Sequence, residues 1–232
     1  MRVFVNDTAY EIPFDPAIIS MEDFISYHTD YGKDLNTKLK SILDKKYIGD
    51  NDTIELERNI ALEGHLDEEA LCWFAFWTKT DLDEVKQHPG ITPFLERYRL
   101  LRTLLRDDDA EFPYYAEWNG DEWTIQDFKV NPASEMSFNE IITSKEVMRQ
   151  IYSIGEDNWA ALPYLCAVYF RKKDELFKDE FIQEGSERME VLKKLPLKHG
   201  LAVAFFLKIC VSIWSSISVS SARKAEAEAS LS

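Results

Sequence analysis

Histidines, cysteines and clustered carboxylates are the residues of this chain whose types lend themselves to catalysis or metal binding. Such chemistry needs groups that converge, and two imidazoles share a helix face when they stand four residues apart. His28, His65, His88 and His199 lie in four separate segments, and none has that partner. His28 and His199 adjoin apolar helical runs and read as core-edge residues. His65 and His88, beside a glycine and a proline, read as solvated loop side chains. Asp107, Asp108 and Asp109 suit a divalent cation by type, but the glycine and distal glutamate of a calcium loop are missing. They follow a helix, where the dipole disfavours carboxylates, and read as a solvated stop. Glu117, Asp121 and Glu122 resemble a glycosidase pair only by residue type; flanks of an exposed hairpin explain them more simply. Arg99, Arg102 and Arg106, spaced three and four apart, share a helix face. They suit an anion, or equally the acidic segments of the same chain.

Nucleotide and acyl-transfer signatures are absent from the sequence. There is no phosphate-binding G-x-x-x-x-G-K-[ST], no G-x-S-x-G and no G-x-G-x-x-G, and the eight glycines are scattered. No catalytic, metal or cofactor site is therefore expected. An enzyme would have to assemble its centre from scattered residues, with His199, Cys166 or the arginine face joining it.

The 42 acidic residues outnumber the 27 basic ones, for a net charge of -15. Such a surface repels phosphate backbones and anionic headgroups, so neither nucleic acid nor membrane is expected as a partner. Cys72, Cys166 and Cys210 stand far apart among apolar neighbours and read as buried thiols of a reducing compartment. Met1 leads straight into RVFV, without the pattern of a signal peptide. LAVAFFLKICVSIW, residues 201–214, is interrupted by Lys208 and is shorter than the roughly 20 apolar residues of a span. It reads as a buried helix.

The elements that must position these groups are mainly helical. RVFVNDTAYEI alternates about Asn-Asp-Thr and predicts a hairpin over 2–12. Ser20 to Asp23 resembles a capping box and opens a helix, which Tyr31-Gly32 should break. Residues 34–47 form a second helix with Leu35, Leu39, Ile42 and Leu43 on one face. GDNDT, residues 49–53, is a loop, and 66–78 is a helix apolar nearly all round. KQHPG stops it, and 91–106 forms an amphipathic helix. YYAEWNGDEWTI, residues 114–125, is a hairpin about Asn119-Gly120, the preferred type I′ pair. Helix resumes from Ser137 or Ser144 to Ile154, again over 162–170, through a charged connector to Lys194, and from Pro196 to about Ile217. The expected class is mainly α with small β-hairpins (α+β): a helical core with an N-terminal hairpin and an aromatic one. Boundaries are expected at 1–106, 107–135 (a hairpin insertion or connector), 136–220 and 221–232, the last a flexible tail.

LPYLCAVYFRKKDELF, residues 162–177, and LPLKHGLAVAFFLKICVSIW, residues 195–214, are wider in apolar coverage than one core contact requires. Packing on each other and on Leu71–Trp77 accounts for most of it; a groove for a partner helix accounts for the surplus. Leu-Pro-Tyr-Leu-x-Ala-Val-Tyr-Phe-Arg, the charged spacer with Phe177 and Phe181, and Arg188-Met189-Glu-x-Leu-Lys-Lys-Leu-Pro-Leu with Gly200 to Leu207 resemble tail-assembly proteins of tailed bacteriophages. Tail-assembly chaperones are the nearest group. The resemblance covers about residues 155–210. It implies a late, acidic, helical, non-catalytic chaperone, present in the host cytoplasm during assembly, that shields a tape-measure-like helical partner. Tyr164, Leu165, Tyr169, Phe170, Phe177, Phe181, Phe205 and Phe206 are the expected partner-binding residues. An oligomer is compatible with this role. A structural subunit of a phage neck, tail or baseplate, residing in the virion and pairing through its hairpins, is the alternative.

Overall fold

The computed structural model describes residues 1–89, 91–106, 115–118, 120–125, 143, 146, 159–172 and 175–204. The fold is mainly helical with two small antiparallel sheets, as the sequence pattern predicts. The chain divides into two compact units, Met1–Ala110 with Ile154–Ala160, and Glu111–Ser153 with Ala161–Ser232. The aromatic hairpin thus belongs with the C-terminal elements.

The first unit opens with strands β1 (Arg2–Val5) and β2 (Thr8–Glu11), paired in register Arg2 with Glu11 and Val5 with Thr8. Asn6 and Asp7 both adopt positive φ, which matches the right-handed strand twist. Ser20 caps α1 (Met21–Tyr27) by accepting from the Asp23 amide. The expected break at Tyr31-Gly32 does not occur. A π-turn, His28–Gly32, carries the chain directly into α2 (Lys33–Asp44). Glycine suits that turn sterically: a Cβ at Gly32 would stand 3.1 Å from His28 Nδ1.

A single helix, α3 (Asn51–Thr78), replaces the expected loop and short helix. Asp50 accepts from the Thr53 amide, so the polar Asp-Asn-Asp-Thr run is a cap rather than a loop. Residues 51–64 hold no buried side chain, which is why they show no apolar stripe. From His65 onwards the helix is the core of the unit. Trp73 and Phe74 are fully buried against Phe24, Tyr27 and Phe94. Short α4 (Leu82–Lys86) and amphipathic α5 (Ile91–Arg106) follow, with Phe94, Tyr98, Leu101 and Leu105 on the buried face of α5.

In the second unit, β3 (Tyr115–Trp118), β4 (Asp121–Ile125) and β5 (Phe170–Lys172) form one sheet in that order. The helix α6 (Leu162–Tyr169) stops a residue short of expectation, because Phe170 turns extended and pairs with Ile125. The charged connector is not one helix either. It contains a 3-10 turn, Asp179–Ile182, then Gly185 at φ +76°, then α7 (Glu187–Lys193) capped by Ser186. The last helix, α8, runs from 197 to 204 within the described residues. The helix expected between 137 and 154 lies largely outside them, as does the tail from 205 onwards.

Candidate functional site

The residues expected to face a partner are, for the most part, the core of the second unit. Leu165, Tyr169, Phe170 and Phe181 are buried there, while Tyr164 and Phe177 are half-buried. Phe205 and Phe206 lie outside the described residues. The reason is a stack that periodicity cannot reveal. Phe170 stacks with the rings of both Trp123 and His199, at 5.9 and 5.3 Å and nearly parallel to each. The Arg188 guanidinium sits 4.3 Å from the Trp123 ring and 4.7 Å from Phe181. It donates to Glu175 at 2.7 Å and to the Phe170 carbonyl at 3.1 Å. One cation thus ties β4, β5, the 3-10 turn and α7 together. Most of the apolar surplus of 162–181 is consumed by packing within this unit, and those four side chains offer no face to another molecule, although Leu176 is 80% exposed. The half-buried Tyr164 donates its hydroxyl to Glu184.

The polar centre of the first unit lies between α1, α3 and α5. Arg102 grips Glu69 with two bonds, 2.8 and 3.2 Å. His65, expected in a loop, is buried on α3 and brings Nε2 within 3.3 Å of Glu69, off the hydrogen-bond line. Burial works to raise the Glu69 carboxyl, but His65 and Arg102 outweigh it and hold the group below the usual glutamate value. Tyr27 donates to the Glu69 carbonyl at 3.1 Å, and burial pushes both Tyr27 and Tyr98 up. Beside this network is a cavity of about 30 Å³ lined in part by Phe24, His28, Gly32, Trp73 and Trp159, room for about one water. Burial, aided by Arg102, lowers His28 to about 4, so its ring is neutral at pH 7. Its Nδ1 has no hydrogen-bond partner. Both carboxylate oxygens of Glu69 already accept from Arg102, which leaves it poorly suited to take a proton from a substrate.

No protein-family model matches the chain. No curated protein and no solved structure matches it either. The geometry therefore stands beside the sequence alone. Of the arginine face, Arg99 pairs with Asp67 at 2.9 Å and Arg102 with Glu69, so the reading as partners for the chain's own acid is the observed one for these two. Cys72 and Cys166 are buried, and burial pushes the thiols up to about 11 and about 12. Among the described residues no three His, Cys, Asp or Glu side chains cluster to hold a metal ion. Nor is any described helix long and apolar enough to cross a membrane.

Exposed apolar side chains gather in places the periodicity did not single out. Leu100 and Leu104 stand on the outer side of α5, 68% and 45% exposed. Leu56 and Ile60, each 61% exposed, stand on the free half of α3, with Ile48 nearby in sequence, while Leu43, expected on the apolar face of α2, is 46% exposed. The available signal was a leucine or isoleucine pair at i, i+4 outside the buried stripe.

Proposed function

We propose that this protein is a non-catalytic assembly chaperone of a tailed bacteriophage that holds a long, tape-measure-like helical partner in the host cytoplasm. The observation that carries the reading is the outer face of α5. Leu100 and Leu104 lie one turn apart on an exposed flank of α5 beside the buried stripe, and exposed Arg97 lies on the same flank. Arg97 is exposed and makes no ion pair among the described residues. An amphipathic helix docks on such a face with apolar residues against the leucines and a carboxylate towards Arg97. The sequence resemblance over 155–210 supplies the phage context, and the net charge of -15 favours solubility of a complex with an aggregation-prone partner. Placing the contact on α5 departs from the expected C-terminal surface, since Leu165, Tyr169, Phe170 and Phe181 are buried.

The alternative, a structural subunit of the neck, tail or baseplate, draws on β3. That strand pairs only with β4 among the described residues, and an open edge accepts a neighbour's strand. Affinity purification from infected cells, with mass spectrometry of purified particles, separates the two. A chaperone co-purifies with a long helical tail protein, is absent from particles, and loses its partner when Leu100 and Leu104 become aspartate. A fixed copy number in particles favours the structural subunit. Retention of the partner by the Leu100→Asp/Leu104→Asp variant removes the α5 surface from consideration.

A further inference from the structure

We infer that the projecting half of α3 docks an amphipathic helix of another protein, one that carries lysine or arginine on both sides of its apolar stripe. α2 packs along the buried half of α3, where Lys38 pairs with Glu68 and where Leu35 and Asn36 share a cavity with Glu69 and Trp73. The other half, residues 51–64, holds no buried side chain. A helical stretch of that length is marginal in water without a packed face. Half-buried Ile54 and Ala61 and buried His65 mark its inward side. At about 100° per residue, Leu56 and Ile60 fall on the far side, one turn apart and each 61% exposed. The chain's own core therefore makes no use of this pair.

Charge selects the occupant. Residues 50–64 carry five acids against Arg58, net -4. By the same helical geometry, Asp52 and Glu63 flank Leu56 within about 40° on one side, and Glu57 flanks Ile60 at about 60° on the other. Arg58, the one cation, lies about 160° from both apolar residues, on the inward side. Asp52, Glu57 and Glu63 make no ion pair among the described residues. The pair is thus an apolar centre with acid on both rims. A second copy would set acid against acid, and an acidic helix would do the same. A helix with cations on both sides of its own leucines covers the centre and meets a carboxylate on either rim. The α5 face of the proposed function calls for the opposite charge, since Arg97 favours a carboxylate. The two surfaces can therefore fail independently.

The probe is a fluorescein-labelled synthetic helix with leucines at helical spacing and lysines on both flanks. One control carries glutamate at every lysine position, and another has the same composition in scrambled order. Anisotropy titrations on the full chain are read beside native-state hydrogen exchange along α3. The lysine helix should bind about tenfold or more tighter than either control and should slow exchange over residues 55–64. Leu56→Ser/Ile60→Ser should weaken it by about tenfold or more. Glu57→Lys/Glu63→Lys should reverse the preference between the lysine and glutamate helices. All four side chains are exposed, so both variants should keep the circular dichroism of the parent. Leu100→Asp/Leu104→Asp should leave binding unchanged. The inference is overturned if the lysine helix is not preferred, if its binding survives both α3 variants, or if it is lost with the α5 variant. It is also overturned if residues 55–64 of the free chain exchange as slowly as the buried half, which would mean that the chain covers them itself. Self-association that disappears in Leu56→Ser/Ile60→Ser would assign the surface to a second copy instead.

Discussion

Replacing Arg188 by alanine should loosen the second unit selectively. The guanidinium makes a 2.7 Å charged bond to Glu175, a 3.1 Å bond to the Phe170 carbonyl, and two ring contacts under 5 Å. Its side chain is 8% exposed and that of Glu175 24% exposed. Hydrogen bonds to a charged group contribute about 1.5–3 kcal/mol, and removing one member of a buried pair costs about 3–5 kcal/mol because its partner is stranded. Partial exposure of Glu175 places the loss at the lower end, about 3 kcal/mol. Arg188→Lys keeps the charge but loses the planar fork and the ring stacking, for about half that loss. Native-state hydrogen exchange reads this locally through the amides that join β4 and β5. Their opening should become more frequent by roughly two orders of magnitude in the alanine variant and roughly tenfold in the lysine variant. Amides at the buried end of α3 should not change. A loss below about 1 kcal/mol, a figure typical of an exposed ion pair, would refute the stack as the organising contact of that unit. Equal losses for lysine and alanine would refute the role assigned to planarity.

Acid should weaken the first unit through His28. Its folded value of about 4 lies below the unfolded 6.5, so the unfolded chain binds the extra proton first. Stability from this group is full above about pH 6.5, falls as pH drops towards 4 and levels off below it, a span of about 3 kcal/mol. Urea titrations at several pH values should show that slope reduced in His28→Gln. Gly32→Ala should lower the melting temperature, because the new methyl meets the His28 ring at 3.1 Å. Gly64→Ala, with nothing within 4 Å of its Cβ, should stabilise the free half of α3 by up to about 1 kcal/mol. Cys72 and Cys166 should resist a thiol reagent at pH 8 in the native protein and react on unfolding, since burial raises both thiols.

The sequence was most legible where local chemistry and burial agree. The alternation about Asn6-Asp7, the Ser20 cap and the one-sided apolar face of α5 each specify their own element. The 162–177 run was misleading because a helix buried all round and a strand buried on both faces have the same greasy composition. Phe170 becomes extended owing to Trp123, 47 positions earlier, and no local pattern carries that information. The start of α3 was hidden for the opposite reason. An exposed helix needs no apolar stripe, and its one signal was the spacing of Asp50 and Thr53. His65 sits beside Gly64 and looks like a loop residue, yet it is buried because the helix continues through that glycine. The site residues fared worst: apolar surplus measures what must be covered, not whether the same chain covers it.

The wide turn between α1 and α2 bears on how the chain tolerates changes in length. Buried positions there run Phe24, Tyr27, Gly32, Leu35, with steps of three, five and three. A regular helix would need three, four and three, so the segment holds one residue more than its inward face requires. The π-turn absorbs that surplus as a bulge and returns Leu35 to the side it would otherwise have left. Shortening the chain by Thr29 or Asp30, both exposed, should therefore straighten the bulge into one unbroken rod with its inward face in phase. Adding a residue at the same point would put every later position of α2 out of step.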